Sequence, residues 1–256
     1  MRPRRGSLHS FAVTDVPPPP VPARQYGPPG SYPMPQRSAA DRVRDAWQSR
    51  GQSDYVFDFA SALGWTILTC GFYAIYVVYQ LVRRSRDHNL RRIEMLDAAT
   101  TFAWEQAQAR GLADELRPAF ERIAPSMATL RALAGEFRDP TLWAVIAFVA
   151  RGVAEVVTFI LLDRDLVTHD YAEGAIEHEL ADIYSRLDAP LALPDPARLK
   201  QRHDYVGRVI ATLLTCGIYS FWWERDVMVE TNRHFRQNWI WEDDLATSVQ
   251  QLMRTT

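Results

Sequence analysis

The stretch Thr66-Ile67-Leu68-Thr69-Cys70-Gly71-Phe72-Tyr73 returns later in the chain as Thr212-Leu213-Leu214-Thr215-Cys216-Gly217-Ile218-Tyr219. Six of the eight positions are identical, and the two segments hold both cysteines of the 256-residue chain. The offset of 146 residues also aligns Asp58 with Asp204 without a gap. Self-similarity at one fixed offset predicts an internal repeat, here of two copies.

The same offset pairs two histidines, His88 and His234, which follow the two copies at equal distances. Within each copy, the Thr-Cys-Gly step predicts an irregular helix, because glycine lowers helical preference and threonine can bond back to the preceding turn. We interpret this step either as a kink or close packing contact, or as a half-broken helix lining a binding site. The candidate residues of the repeat are Thr69, Cys70, Gly71, Tyr73, Thr215, Cys216, Gly217, Tyr219, His88 and His234.

Three apolar blocks stand out from an otherwise polar chain. They cover residues 56–82, 141–162 and 206–223. About 20 apolar residues suffice for a helix to cross a bilayer, and each block approaches or exceeds that length. The sequence therefore predicts an all-α membrane protein with three transmembrane helices, the first and third being the repeat copies, in a multi-pass arrangement in the plasma membrane.

Composition and periodicity divide the chain further. The run Pro17 to Pro20 is typical of a disordered tail, and a stripe of apolar residues from Leu116 onwards predicts an amphipathic helix whose antiparallel partner turns near Gly111. The predicted segments are a disordered Pro-rich tail (1–50), copy one (51–92), a helical hairpin outside the membrane (93–138), a central transmembrane helix (139–163), an acidic helix with a Pro-rich linker (164–200), and copy two with a C-terminal interfacial helix (201–256).

Two charges, Arg151 and Glu155, lie in the middle of the second apolar block. Charged side chains within a membrane are functional candidates by default. They are also one helical turn apart, so they could form an ion pair that only fixes how the helices assemble. Both interpretations require that the pair faces other helices rather than lipid.

Two other constellations invite a metal or a redox role. His169, Glu173 and Glu177 recur at every fourth position, and imidazole with carboxylates could bind a divalent metal. Acidic helices are usually solvated, and we interpret the helix around Glu173 and Glu177 as solvated.

Cys70 and Cys216 could pair if the copies pack symmetrically, but cysteine in an apolar helix is typically a small hydrophobic residue. The sequence thus predicts no metal and no cofactor.

The segment Thr215 to Trp223, with the pattern Thr-Cys-Gly-Ile-Tyr-x-x-Trp-Trp, resembles a bacterial membrane family classed only as a domain of unknown function. Its members carry a Thr-x-Gly-Ile-Tyr-x-x-x-Trp segment. The Arg-rich stretch 83–89 and the Asn-Arg-His-Phe stretch 232–235 are similar to an actinobacterial branch. Copy one departs from the pattern, with Tyr76 and Val77 in place of the tryptophan pair. The resemblance implies a membrane location and implies no activity.

The function that the sequence favours is non-catalytic. Its 29 basic and 31 acidic residues argue against a nucleic-acid binder, and no phosphate loop or nucleophile motif argues for an enzyme. We expect a membrane scaffold or assembly subunit, with the lipid bilayer and a protein partner or second copy of the chain as its contacts. The alternatives are a small channel or transporter component that uses Arg151 and Glu155, and a membrane-associated enzyme.

Overall fold

The computed structural model describes residues 37–135, 139–150, 152–194 and 201–255. In this part of the chain the regular structure is entirely α-helical. The helices are α1 (Ala39–Gln48), α2 (Arg50–Ser53), α3 (Phe59–Leu68), α4 (Phe72–Ala109), α5 (Ala113–Gly135), α6 (Pro140–Val149), α7 (Val153–Arg186), α8 (Tyr205–Leu214) and α9 (Ile218–Thr255).

Six of these helices form three helix pairs, each made of a short helix, a break and a long helix: α3–α4, α6–α7 and α8–α9. Every short helix begins after an aspartate whose carboxylate accepts a hydrogen bond from a backbone N–H of the first turn. Asp58 accepts from Ser61, Asp139 from Thr141 and Leu142, and Asp204 from Gly207. Such N-caps satisfy donors that the helix itself leaves unpaired.

The Thr-Cys-Gly step is a complete helix break. Cys70 and Gly71 have φ angles of 49° and 89°, and Cys216 and Gly217 repeat them at 51° and 93°. The Gly71 N–H donates to the Thr66 carbonyl at 2.7 Å, as in a Schellman ending. The Thr69 hydroxyl donates to the carbonyl of Trp65 and accepts from the N–H of Tyr73, so one side chain joins the end of α3 to the start of α4.

The third pair, α6–α7, is a further copy of the repeat that sequence identity does not reveal. Its break also ends in a glycine at positive φ, Gly152 at 81°. The distance along the chain from the capping aspartate to the break glycine is identical in the three pairs, which are Asp58 to Gly71, Asp139 to Gly152, and Asp204 to Gly217. The repeat therefore has three copies, and the predicted single central transmembrane helix is instead two helices of the repeat.

None of the described helices is both long enough and apolar enough to cross a bilayer. Each apolar block is split by its break, and a helix of about ten residues is only about 15 Å long, half of the ~30 Å bilayer core. Many of the apolar side chains that suggested spans lie on exposed faces beside the breaks: Leu68, Val149 and Leu214, at equivalent positions before their glycines, are 72%, 77% and 80% exposed. The predictions of three transmembrane helices and of a multi-pass plasma-membrane protein are therefore wrong.

The long helices α4, α7 and α9 run in the same direction, because residues at equal distances from the three breaks meet one another. Leu81, Leu162 and Val227 occupy equivalent positions and share one hydrophobic core. Further along, a second core joins these helices to α1 and α5, with Leu96, Ile176 and Leu245 fully buried. Between the two cores lies a layer of buried polar side chains.

Two further predictions fail in this second core. Part of the predicted disordered tail forms α1, because Ser38 caps it and its apolar stripe, which includes Val43, packs against α4; residues 1–36 lie outside the described residues. The predicted interfacial C-terminal helix is the end of α9, with Leu245, Val249 and Leu252 buried in the core. The arms of the predicted hairpin are the second half of α4 and α5, joined through Gly111.

Replacing Gly217 by alanine should lower the free energy of unfolding by about 1–2 kcal/mol, because an L side chain is strained at this positive φ. No described atom lies within 4 Å of the added Cβ, so the cost comes from the backbone alone. The control is Gly64→Ala in the middle of α3, which also has open space and should stabilise the helix by about 0.5–1 kcal/mol. Urea unfolding measures both; equal changes of the same sign would contradict the assignment of the break.

Candidate functional site

Three histidines meet at the centre of the polar layer, one from each helix pair. His88, His169 and His234 lie on α4, α7 and α9, and each follows its break glycine at the same distance along the chain. All three are buried, and their ring centroids are 5.0, 5.3 and 5.4 Å apart, with edge-to-face angles of 61° to 77°. The near-equal distances describe an approximate threefold arrangement, which the equal spacing of the repeat produces.

The Nδ1 atom of each ring faces an oxygen acceptor. His88 Nδ1 lies 2.9 Å from the Asp54 carboxylate, and His169 Nδ1 lies 3.1 Å from the Asn89 amide oxygen. His234 Nδ1 lies 2.6 Å from the Asp170 carboxylate. A carboxylate can only accept when ionised, so Nδ1 is the donor, and the Nε2 atom of a neutral ring then carries a lone pair.

The three acceptors follow the repeat around the axis. Asn89 comes directly after His88 and holds His169, and Asp170 comes directly after His169 and holds His234. The residue after His234 is Phe235, which cannot accept a hydrogen bond, and its ring lies 4.4 Å from that of His88. Asp54, just beyond α2, supplies the missing acceptor.

The Nε2 atoms point towards one another and towards the carboxylate of Glu173. His88 Nε2 and His234 Nε2 are 3.1 Å apart, and Glu173 Oε2 lies 3.5 Å from His169 Nε2 and 3.7 Å from His234 Nε2. His169 Nε2 has no hydrogen-bond donor or acceptor among the described residues. Four atoms that carry lone pairs thus face a common point.

The neutral amide of Asn238 also reaches this point. Its Nδ2 lies 3.0 and 3.1 Å from the two Glu173 oxygens, 3.1 Å from His234 Nε2 and 3.5 Å from His88 Nε2. An amide has only two hydrogens to donate. The acceptors therefore outnumber the donors that Asn238 can offer, which is unfavourable in a buried site unless a cation is present.

The distances suit a metal ion. The ligand atoms of His88, His169, Glu173 and His234 all lie within 4.8 Å of one another. Four ligands at zinc–nitrogen and zinc–oxygen bond lengths of about 2.0–2.1 Å around a tetrahedral ion would be separated by roughly 3.3 Å. Imidazole and carboxylate ligands without thiolate suit Zn²⁺, Fe²⁺ and related divalent ions.

Burial and neighbouring charges set the pKa values of His88 and Asp54. Burial lowers the pKa of His88 to about 3, although Asp54 opposes the shift, so this imidazole is neutral over the physiological range. Burial alone would raise the pKa of Asp54, but His88, Arg91 and Ser53 hold it below its usual value. A neutral ring that donates through Nδ1 to an ionised carboxylate is the form in which histidine binds metals.

A second layer of charges lies one turn beyond the histidines. Arg92 is fully buried and bonds to Glu173, Glu177 and Glu242. Arg91 bonds to Glu242 and also to Asp54. With Asp170 included, carboxylates outnumber guanidinium groups in this connected network of described residues, and a divalent cation would offset most of the negative excess.

The structure separates the predicted candidate residues. It brings His88 and His234 into the site, in the middle of the long helices. The breaks, with Thr69, Tyr73, Thr215 and Tyr219, lie at the N-terminal ends of these helices, away from the site. Cys70 and Cys216 are exposed free thiols. Arg151 lies outside the described residues, so the predicted pair with Glu155 stays a prediction. Glu155 is half-buried. The burial of Glu224, together with the nearby charge of Glu155, raises the pKa of Glu224 to about 7.

The interpretation of 169–177 as a solvated acidic helix was wrong, because Glu173 and Glu177 are fully buried. The missed signal is the spacing of Asp139, Gly152 and His169, which matches that of the corresponding residues in the two recognised copies. Outside those three positions the middle copy shares very few residues with the others, so a search for identity does not find it.

A second group of ligand-type side chains, Asp163, His203 and Glu230, has a different character. His203 Nδ1 lies 2.7 Å from Asp163 and Nε2 lies 3.1 Å from Glu230. These two hydrogen bonds raise the pKa of His203 to about 9. An imidazolium that donates from both nitrogens has no lone pair for a metal, so this group is an ion triad that holds the segment before α8 against α7 and α9.

This triad predicts a pH-dependent contribution to stability. The pKa of His203 is about 9 in the folded chain against 6.5 for an ordinary histidine, so its contribution is complete below pH 6.5 and is lost as the pH rises through 9. His203→Gln should lower the free energy of unfolding by about 1–3 kcal/mol at pH 6 and by little above pH 9.5. Denaturant unfolding of both chains across this range measures the difference, with the exposed His178→Gln as control. A difference that does not change with pH would contradict the triad.

Comparisons with known proteins give no relative from which a function could be transferred. No protein-family model, no curated protein and no solved structure matches this chain. The resemblance to a bacterial membrane family therefore stays a prediction, and the geometry of the site carries the functional argument.

Proposed function

We propose that this chain is a metal-binding protein that holds one divalent transition-metal ion at the centre of its three long helices. The ligands are Nε2 of His88, His169 and His234 and the carboxylate of Glu173. The observation that carries the proposal is the convergence of three Nε2 lone pairs, each oriented by an oxygen acceptor at Nδ1, on one carboxylate.

The second layer supports this assignment. Metal-binding histidines characteristically donate their other ring nitrogen to a carboxylate or carbonyl oxygen, which fixes the tautomer and the ring orientation. Asp54 and Asn89 do this for His88 and His169, and a carboxylate oxygen of Asp170 lies 2.6 Å from Nδ1 of His234. Arg92 and Asn238 likewise hold Glu173 from two sides.

Metal content tests the proposal directly. The full chain, stripped with chelator and dialysed against Zn²⁺ or Fe²⁺ (the latter under anaerobic conditions), should retain one ion per chain by elemental analysis. His169→Ala should weaken binding at least about 100-fold, since second-layer losses alone typically cost 10–100-fold. Asp170→Asn, which changes only the support of His234, should weaken it by about 10–100-fold.

The matched control is His178→Ala, which removes an exposed histidine from the same helix, α7, outside the cluster. Its metal affinity should equal that of the natural chain. The proposal fails if the natural chain retains no ion, or if the His169→Ala chain, shown by circular dichroism to be folded, retains as much as the His178→Ala chain. Saturating metal should also raise the melting temperature of the natural chain, because the ion binds the folded state.

The functions predicted from the sequence, a scaffold or assembly subunit and a small channel or transporter component, stay predictions. A protein partner or a second copy of the chain also stays a prediction. Metal binding is compatible with each of them, since a fixed ion can serve structure as well as chemistry. What the bound ion does depends on whether a ligand from outside the protein can reach it.

A further inference from the structure

We infer that the metal ion keeps one coordination position open to a small anion, which Arg84 binds at the same time. This inference rests on the proposed metal site. It concerns the cleft that leads to His88 and His169, and a buried arginine on that cleft that has no acidic partner within the described part of the chain.

A cleft reaches the histidines from the side of the first hydrophobic core. Its cavity volume is about 60 Å³, and its lining includes His88, His169 and Arg84. Much of the remaining wall is apolar, with Leu81, Leu162 and Phe235. The carboxylate of Asp165 also lines the cleft, and it is paired with Arg164. His234 and Glu173 do not line it, so the cleft would approach a bound ion between the other two ligands.

Arg84 differs from the other buried arginines of the site. It is 2% exposed, and its guanidinium donates only to neutral groups: the Asn232 amide oxygen at 2.8 Å and the backbone carbonyls of Tyr55, Val227 and Met228 at 3.3–3.4 Å. No carboxylate among the described residues forms an ion pair with it. Arg91 and Arg92, by contrast, are both paired with carboxylates.

Burying a cation without a counter-charge is costly, and this cost disfavours the charged form of Arg84. Burial lowers the pKa of Arg84 to about 9. The rings of Phe57 and Phe235, whose centroids lie 4.9 and 5.8 Å from the guanidinium carbon, offset part of this cost. An anion in the cleft would reduce it further, and the apolar walls would strengthen the attraction of the anion to the guanidinium and to the ion. Arg84 precedes His88 by one helical turn on α4, which places both side chains on one side of the helix, and both line this cleft.

The volume limits the ligand. A water molecule needs at least about 10–15 Å³ of such space, so a cavity of 60 Å³ holds the equivalent of a few waters. A monoanion of about three or four non-hydrogen atoms, such as azide or formate, is of this size. The chemical class is thus a small carboxylate or other small monovalent anion that replaces water on the metal.

Azide provides the test, with Co²⁺ as a visible stand-in for the natural ion. Cobalt-loaded full chain should change its absorption spectrum with a single saturable azide site. Arg84→Gln should weaken azide binding at least tenfold while the cobalt content stays at one per chain. Arg86→Gln removes another charged side chain that lines the cleft but is paired with Asp87, and should change azide affinity less than twofold. Formate should compete with azide.

The outcomes separate the two proposals. If cobalt does not bind, the metal site itself is wrong and the anion site falls with it. If cobalt binds but azide leaves the spectrum unchanged, the ion is closed to ligands and only this inference is overturned. Equal azide affinity in the natural and Arg84→Gln chains overturns it as well. If Arg84→Gln does not fold, Arg84→Lys decides: it keeps the charge in another geometry, so a weakening of at least threefold is expected and an unchanged affinity contradicts the role of Arg84.

Discussion

Three contacts between histidine Nδ1 atoms and oxygen acceptors determine what the centre of this protein can do. Each one orients an imidazole so that its Nε2 is directed at the same point, where the carboxylate of Glu173 also lies. Lone pairs in contact repel, and the two amide hydrogens of Asn238 are too few to satisfy them all. The arrangement is therefore costly without a cation and favourable with one, which makes the empty and occupied forms very different in energy.

The buried charges around the histidines are connected to the metal-binding residues. Arg92 contacts three glutamates, and Arg91 shares Glu242 with it and also holds Asp54, so the ligands Glu173 and His88 are connected to the arginines through one or two contacts. Buried networks of this kind stabilise a protein only when all members are present. They hold the site in one geometry, since a side chain that moved would leave a charge unpaired.

The sequence predicts much of the local structure and little of the assembly. The helical content follows from the apolar blocks and the periodicity of the chain, and the irregularity at Thr69 to Gly71 follows from the Thr-Cys-Gly residues. The equivalence of His88 and His234 follows from the 146-residue offset. The lengths of the apolar blocks led to a wrong prediction of transmembrane helices, because each block is divided between a short and a long helix. Leu68 and Leu214 are exposed at the ends of the short helices. Glu173 could not be assigned either, since a buried and a solvated acidic helix differ only in what packs against them.

The middle repeat shows where sequence identity stops being informative. Positions 139, 152 and 169 keep aspartate, glycine and histidine because a cap, a positive φ and a metal-type ligand each depend on the residue type. Most other positions in that copy need only be apolar or polar on the correct face, so they can differ freely. The three breaks share the requirement for a glycine at positive φ. They do not require a cysteine, since alanine and arginine precede Gly152.

The constant interval between break glycine and histidine has a consequence for how such a chain can change over time. One residue inserted between Gly152 and His169 would turn the ring by about 100° around the α7 axis and away from its partners. Insertions between the pairs have no such effect, and the interval from His88 to His169 is accordingly longer than that from His169 to His234. Insertions that preserve the site are therefore expected only in the connectors. The number of residues between the break glycine and the histidine should stay constant in each copy even where the other residues differ.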